Sequence, residues 1–147
     1  MQRPVLVGEY DVTLDAKNRI AVPSRLRTAF GDGIYIAKEY ERCLGGYGPD
    51  EFRQRLHEEA ASTRDGSAAR RDAKRFTASN AMHQEELDRQ GRVTLPARLL
   101  EYAGISREAT VIGVQDHIEI WDRAAWAEYL KHLEEEADAT ADEPAAG

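Results

Sequence analysis

The sequence predicts an α+β protein in which two half-domains complete each other. The segment LDAKNRIAVPSRLR at residues 14–27 returns in similar form as LDRQGRVTLPARLL at residues 87–100. Each copy combines a turn, a short alternating strand and a proline, and segments with helical spacing follow each half. At 147 residues the chain has room for one ordinary domain. Two copies are too few for a stacked solenoid, so we expect two halves of one fold.

The repeat extends beyond these segments. At an offset of 73 residues, charged, proline and glycine positions of the two copies coincide. The matched pairs are Asp15 with Asp88, Arg19 with Arg92, Pro23 with Pro96, Arg25 with Arg98, Leu26 with Leu99 and Gly31 with Gly104. We place the first repeat at residues 8–51, a helical connector at 52–81 and the second repeat at 82–125.

Each repeat opens on a tight turn. VTLD and EELD lead into DAKN and DRQG, which put Asn18 and Gly91 in the same position. These residue types best tolerate positive φ, as in a hairpin turn with a bulge. The strands RIAV and RVTL follow, with their apolar positions facing the core. Arg19 and Arg92 then fall on the opposite, solvated face.

The rest of each repeat contains a short helix and two strands. Pro23 and Pro96 end the preceding strands and suit the first position of a helix. We expect these helices to stop at Gly31 and Gly104. The strand pairs are GIYIAKEY with CLGGYG in the first half, and TVIGVQ with HIEIWD in the second.

The connector is predicted to be helical on both sides of a break. Phe52 and Leu56 recur at helical spacing behind an Asp50 cap, and Asp65–Ser67 interrupts the helix.

A second helix, residues 126–137, follows the second repeat behind an Asp122 cap. Its apolar stripe begins at Trp126 and favours packing rather than ligand binding. Residues 138–147 read as an acidic disordered tail.

The net charge of −7 does not exclude a nucleic-acid partner. Residues 122–147 hold eight acidic and two basic residues, so the remainder is nearly neutral and can present a basic patch. No apolar run approaches the roughly 20 residues of a membrane span, and MQRPVLVGEYD lacks a signal-peptide pattern. Cys43 has no partner for an internal disulfide, so we expect a cytoplasmic protein.

The sequence does not predict an enzyme. The four histidines, at positions 57, 83, 117 and 132, show no metal-ligand spacing with one another or with Cys43. No nucleophile elbow or phosphate-binding loop is found. We therefore expect no metal, no cofactor and no small-molecule substrate.

The repeated pattern Asp-x-x-Gly/Asn-Arg-apolar-x-apolar-Pro-x-x-apolar-Arg, followed by EIWD, resembles the bacterial MraZ family over roughly residues 8–133. These proteins are transcriptional regulators of the division and cell-wall gene cluster, built from two AbrB-like halves. The resemblance implies a pseudo-twofold swapped-hairpin β-barrel closed within one chain. It also implies ring-like homo-oligomers that bind short repeated boxes in their own promoter, at the nucleoid. Two positions depart from the pattern, since Asn18 replaces glycine and Leu100 replaces arginine.

The candidate contacts to double-stranded promoter DNA are basic residues of the two turns and the two short helices. They are Lys17, Arg19, Arg89, Arg92, Arg25 and Arg98. Arginine can contact phosphates and can read guanine through paired hydrogen bonds. Asp15 and Asp88 would hold the turns and orient Arg19 and Arg92.

Simpler interpretations remain open for these residues. The Asp–Arg pairs could be surface ion pairs without a ligand, and Arg25 and Arg98 could be structural. A second basic cluster, Ala69–Arg75, could be a solvated or subunit-contacting helix face. An alternative of another class is an AbrB-like antitoxin or protein-interaction module, which predicts one barrel half per chain and a long, partly apolar tail.

Overall fold

The computed structural model describes residues 3–62 and 67–141 of the chain. It confirms the α+β class. The described elements are β1 (Glu9–Thr13), β2 (Arg19–Ala21), a 3-10 helix (Ser24–Phe30), β3 (Ile34–Lys38), β4 (Leu44–Tyr47), α1 (Pro49–Ala61), α2 (Ala68–Ala78), β5 (Met82–Gln84), β6 (Arg92–Thr94), α3 (Ala97–Ala103), β7 (Glu108–Gly113), β8 (Ile118–Asp122) and α4 (Arg123–Ala141). Each repeat thus supplies four strands and one short helix in the same order.

The two repeats exchange strands. Six strands form an antiparallel sheet in the order β1-β7-β8-β4-β3-β5. The first strand of the first repeat, β1, pairs with β7 of the second repeat, and β5 of the second pairs with β3 of the first. Strands β4 and β8 pair at the centre. Neither half can therefore complete its sheet without the other.

The predicted closed barrel is not confirmed. Among the described strands, β1 and β5 are the edges of the six-stranded sheet, and β2 and β6 form a separate two-stranded sheet. We call β2 and β6 the ribbon. Each ribbon strand is three residues long and is soon followed by a proline, Pro23 or Pro96, which lacks an N–H. Few backbone groups are left to continue the ladder into the larger sheet.

The core lies between the ribbon and the six-stranded sheet. Ile20 and Val93 at the centre of the ribbon are fully buried, and they join one apolar cluster with Ile36, Val111 and Ile120 of the sheet. This confirms the predicted strand parity on the apolar side. Packing of this kind supplies most of the stability of short elements.

Both turns adopt the predicted conformation. Asn18 has φ of 59° and Gly91 has φ of 73°. Gly104 ends α3 with φ of 67°, also as expected. The first short helix also stops at Gly31, its C-cap, as predicted, but Gly31 keeps φ of −60° and the positive φ, 110°, occurs at Gly33. The first helix is a 3-10 helix rather than an α-helix.

Several predicted boundaries are wrong. Pro23 and Pro96 are cap residues rather than first helical residues. Gly48 rather than Asp50 caps α1, because Pro49 occupies its first position. Strand β5, which precedes the second turn, ends at Gln84, before the segment EELD.

One predicted helix cap is confirmed, and the predicted helix break is only partly within the described residues. Asp122 does cap α4, since its Oδ2 accepts a hydrogen bond from the Ala125 N–H at 3.0 Å. Of the predicted break, Asp65 and Gly66 lie outside the described residues, and Ser67 caps α2.

The C-terminal helix is longer than predicted. Helix α4 spans Arg123–Ala141, so four residues assigned to the tail are helical, while residues 142–147 lie outside the described part. Alanine and glutamate are good helix formers, and no breaker precedes Pro144. Trp126 packs on Trp121 with ring centroids 5.2 Å apart, so the aromatic stripe is packing as expected. No helix in the described ranges is long and apolar enough to span a membrane.

Candidate nucleic-acid interface

The ribbon brings the two motif strands together around a local twofold. Ile20 pairs with Val93 at its centre, flanked by Arg19 opposite Thr94 and Ala21 opposite Arg92. Because side chains alternate along a strand, the face opposite the buried Ile20 and Val93 carries the two flanking pairs. We call these four residues the outer face.

The first turn is organised by one carboxylate. Asp15 Oδ1 accepts hydrogen bonds from the backbone N–H groups of Lys17 and Arg19, each at 2.9 Å. Its Oδ2 accepts from Arg19 Nε at 2.8 Å. The carboxylate therefore closes the turn and fixes the direction of the guanidinium.

The second turn repeats this arrangement. Asp88 Oδ1 accepts from the N–H groups of Gln90 at 2.9 Å and Arg92 at 2.8 Å, and its Oδ2 accepts from Arg92 Nε at 2.8 Å. The backbone N–H of Arg92 lowers the pKa of Asp88, as the N–H of Arg19 lowers that of Asp15, and each guanidinium adds to the effect. The structure thus gives both aspartates the turn-holding contacts predicted for them.

The two motif arginines are less exposed than the strand parity alone predicts. The Arg19 side chain is 27% exposed and that of Arg92 is 25% exposed. Each guanidinium is drawn back onto its aspartate instead of extending into solvent. The Nε atoms of both residues are therefore held in ion pairs, and Arg92 Nη1 also lies 3.4 Å from Asp15 Oδ2. A ligand would be reached through the remaining outer nitrogens.

Two backbone hydrogen bonds determine what lies at each end of the ribbon, where the other candidate DNA contacts are found. These contacts are Lys17, Arg25, Arg89 and Arg98. The Leu95 N–H donates to Asn18 O at 2.8 Å, and the Val22 N–H donates to Gly91 O at 2.9 Å. Each turn is thereby joined to the strand that leads into the other repeat's short helix.

Each ribbon end consequently combines cations from both repeats. One end carries Lys17 of the first turn and Arg98 of α3, and the other carries Arg89 of the second turn and Arg25 of the 3-10 helix. All four side chains are exposed. Arg98 also donates from Nε to Asn80 Oδ1 at 3.2 Å, which is compatible with its predicted structural alternative.

The second basic cluster is not part of the ribbon. Residues 69–75 lie on α2, which packs against α1. Arg75 pairs with Asp72 at 2.9 Å on an exposed surface. These contacts fit the solvated-face interpretation.

Comparison with known proteins identifies the chain. It matches the family described as "MraZ protein, putative antitoxin-like" over residues 5–75 and 79–146. The chain belongs to the MraZ family. A relative named "Transcriptional regulator MraZ", from Kocuria rhizophila, is 40% identical over 130 residues, which cover 88% of this chain and 90% of the relative.

One arginine of the MraZ pattern has a contact that the sequence did not predict. Arg27 donates from Nε to Val22 O at 2.6 Å, and its guanidinium lies against Gly91, where a Cβ would collide with it. The equivalent positions in the other repeat are Leu100, which is buried, and Asn18. The two departures from the MraZ pattern are therefore complementary. Where the arginine is present the turn has glycine, and where leucine replaces it the turn carries a side chain.

Proposed function

We propose that this MraZ-family chain is a transcriptional regulator that binds double-stranded promoter DNA in a sequence-specific way through its ribbon. The observation that carries the proposal is the shared geometry of the two turns, which places Arg19 and Arg92 on one outer face with exposed cations at both ends. The printed name of the Kocuria rhizophila relative, a transcriptional regulator, supports the same conclusion.

The size of the ribbon suits the major groove. That groove, about 12 Å wide, admits a two-stranded β-ribbon. With the buried face on the core, only the outer face can approach base edges. The outer nitrogens of Arg19 and Arg92 are then the candidates for guanine readout, because bidentate Arg–guanine pairs are the commonest specific contact.

The four exposed cations suit the phosphates beside the groove. Phosphate contacts set the register of a protein on DNA, and base contacts specify the sequence. Lys17 with Arg98 would meet one backbone strand, and Arg89 with Arg25 the other. The ion pairs Asp15–Arg19 and Asp88–Arg92 carry no net charge. The four exposed cations therefore supply most of the positive charge of this surface.

The target and assembly follow from the family resemblance. One ribbon reads a short site, so specific binding calls for several ribbons on repeated boxes. We propose a homo-oligomer with ring-like symmetry acting on boxes in its own promoter, upstream of the division and cell-wall cluster. Such a regulator would work in the cytoplasm at the nucleoid, without catalysis, cofactor or small-molecule substrate.

The proposal is tested by fluorescence anisotropy with DNA from upstream of the chain's own gene, beside a scrambled duplex of equal length. We expect tighter binding to the promoter duplex, with an affinity that falls as salt rises. Light scattering on the same sample should give a mass above that of a dimer. Equal affinity for both duplexes would contradict sequence-specific binding, and a monomer at micromolar concentration would contradict the oligomer.

The alternative is an antitoxin or protein-interaction module, a class that the family description also mentions. That alternative predicts one half-domain per chain. Here both halves lie in one chain, and they exchange β1 and β5. Co-purification of a stoichiometric small protein that abolishes promoter binding would favour the alternative.

A further inference from the structure

A cluster of polar side chains lies where β4 and β8 pair, away from the ribbon. Glu39 follows β3, His117 precedes β8 and Glu119 lies within β8. One nitrogen or oxygen atom from each of the three lies within 4.8 Å of the others. Glu119 is directly opposite Gly45 in the ladder. A Cβ at Gly45 would lie 2.5 Å from Glu39 Oε1, so the glycine leaves the room in which this carboxylate sits.

Each member of the cluster is oriented by a further side chain. Tyr47 Oη and Arg55 Nη1 each donate to Glu39 Oε1 at 2.9 Å. Trp121 Nε1 donates to Glu119 Oε1 at 3.0 Å. His117 Nδ1 lies 2.7 Å from Asp116 Oδ1, and the His117 ring stacks on Tyr47 with centroids 4.5 Å apart.

These hydrogen bonds occupy one side of each group. The hydrogen bonds just named use Oε1 of both glutamates and Nδ1 of the histidine. The side chain of the buried Cys43 is also hydrogen-bonded to the Glu119 carboxylate. His117 Nε2 lies 3.8 Å from Glu119 Oε2, which is too far for a hydrogen bond. Two ligands of a tetrahedral zinc ion, with bonds of about 2.0–2.1 Å, are separated by about 3.3–3.4 Å. Closing the gap between His117 and Glu119 by about 0.4–0.5 Å would bring these two atoms to that separation, and the third ligand atom lies within 4.8 Å of both.

The charge and burial of the cluster also favour a bound cation. The Glu39 side chain is 11% exposed, and those of His117 and Glu119 are each 15% exposed. Two sheltered carboxylates, Glu39 and Glu119, belong to the cluster, and Arg55, the guanidinium that pairs with Glu39, also pairs with Glu59. The Asp116 side chain, by contrast, is 62% exposed. Gathering carboxylates away from water is costly unless a cation compensates them.

We propose that Glu39, His117 and Glu119 form a zinc-binding site, with a water molecule as the fourth ligand. A mixed imidazole and carboxylate set suits Zn²⁺ better than the all-oxygen sites of Mg²⁺ or Ca²⁺. Asp116 is the positioning residue for His117, as a carboxylate that holds the second ring nitrogen of a metal-binding histidine. The ion would join the turn after β3 to β8 and so tie together the two repeats.

The spacing of the residues along the sequence does not indicate this site. Glu39 is separated from the other two ligands by more than 70 residues, and only the pairing of β4 with β8 brings them together. The position equivalent to His117 in the first repeat is Cys43, so the repeat is not preserved here either.

The test is a zinc titration of the full chain, purified without a histidine tag and stripped with EDTA. Competition with a fluorescent chelator should show one Zn²⁺ per chain. His117→Gln and Glu119→Gln should weaken binding at least about 100-fold, and Asp116→Asn by about 10- to 100-fold. The control is His132→Gln, which removes an exposed histidine 3.1 Å from Glu136 and should bind zinc as the unchanged chain does.

If a variant fails to fold, zinc binding by the unchanged chain still tests whether the site exists. Zinc should raise its melting temperature, because an ion that binds only the folded state stabilises it. Absence of stoichiometric binding by the unchanged chain at micromolar zinc would overturn the site. Equal loss of binding in His132→Gln and His117→Gln would overturn the assignment of its ligands.

Discussion

Arg92 Nη1 lies 3.4 Å from Asp15 Oδ2, the same oxygen that accepts from Arg19 Nε at 2.8 Å. One carboxylate of the first repeat therefore contacts guanidinium groups from both repeats. Asp88, by contrast, pairs with Arg92 alone among the ion pairs of the described residues. The two turns are thus coupled across the ribbon, and the coupling passes through Asp15.

Asp15→Asn should impair promoter recognition more than Asp88→Asn. Loss of the first carboxylate removes the partner of Arg19 and one of the two partners of Arg92, whereas loss of the second leaves each arginine a contact with Asp15. The two variants change net charge equally, so each controls for the non-specific attraction of the other to DNA. The measurement is the ratio of affinities for promoter and scrambled DNA. A ratio that falls more in Asp88→Asn would show that the cross-repeat contact is unimportant.

The turns should also make stability depend on acid pH. The pKa values of Asp15 and Asp88 are lowered below 3.8 in the folded chain. A lowered pKa contributes stability that is present above 3.8 and is lost as the pH falls through the folded value. The melting-temperature gap between the unchanged chain and an Asp15→Asn, Asp88→Asn double variant should be constant near neutral pH and shrink below about pH 4. A gap that widens with acid would contradict the assigned direction.

Gly91→Ala should destabilise the chain more than Gly104→Ala. Both glycines have similar positive φ, which costs a side chain about 1–2 kcal/mol. Around Gly104 nothing lies within 4 Å of the added Cβ, but at Gly91 the methyl group meets Arg27. Urea unfolding of both variants isolates the second effect. Adding Arg27→Ala to Gly91→Ala should recover the difference, and no recovery would mean that Arg27 does not restrict the turn.

Much of the fold could be predicted because the repeat carries local rules. Positive φ at Asn18 and Gly91 and the burial of Ile20 and Val93 follow from residue type and strand period alone. The exchange of β1 and β5 between the halves could not be predicted from local patterns, because the choice of partner strand depends on long-range packing. The sequence predicts the cap of α1 at Asp50, two positions after the observed cap, Gly48. The reason is that Pro49 occupies the first helical position.

The Asp–Arg pairs of the candidate site could be predicted from the sequence, but their geometry could not. The spacing of Asp15 and Arg19 indicated a pair, yet it could not show that the carboxylate would draw the guanidinium back. Alternation assigns Arg19 to a solvated face, and only the folded turn shows how little of it is exposed. The contact of Arg27 with Gly91 joins different repeats, so no local pattern contained it.

Removal of residues 138–147 should leave DNA binding unchanged or improve it. Residues 138–141, the described part of this segment, form the exposed end of α4, and their removal takes away no buried residue. Its acidic residues repel phosphate. Anisotropy and a thermal melt of the shortened chain check both points. A clear loss of affinity with an intact fold would show that the tail contributes to the DNA complex.

The most direct test of the ribbon as the DNA-binding surface is salt-titrated promoter binding by Arg19→Ala and Arg92→Ala, with a thermal melt of each. Arg75→Ala on α2 is the control, because it also removes an arginine paired with an aspartate. Each ribbon variant should lose less than about 1 kcal/mol of stability, since partly exposed ion pairs contribute little. Promoter affinity should fall about 5- to 160-fold for each lost guanine contact, and discrimination against scrambled DNA should fall with it. Unchanged promoter affinity in both ribbon variants, with an intact fold, would contradict the account.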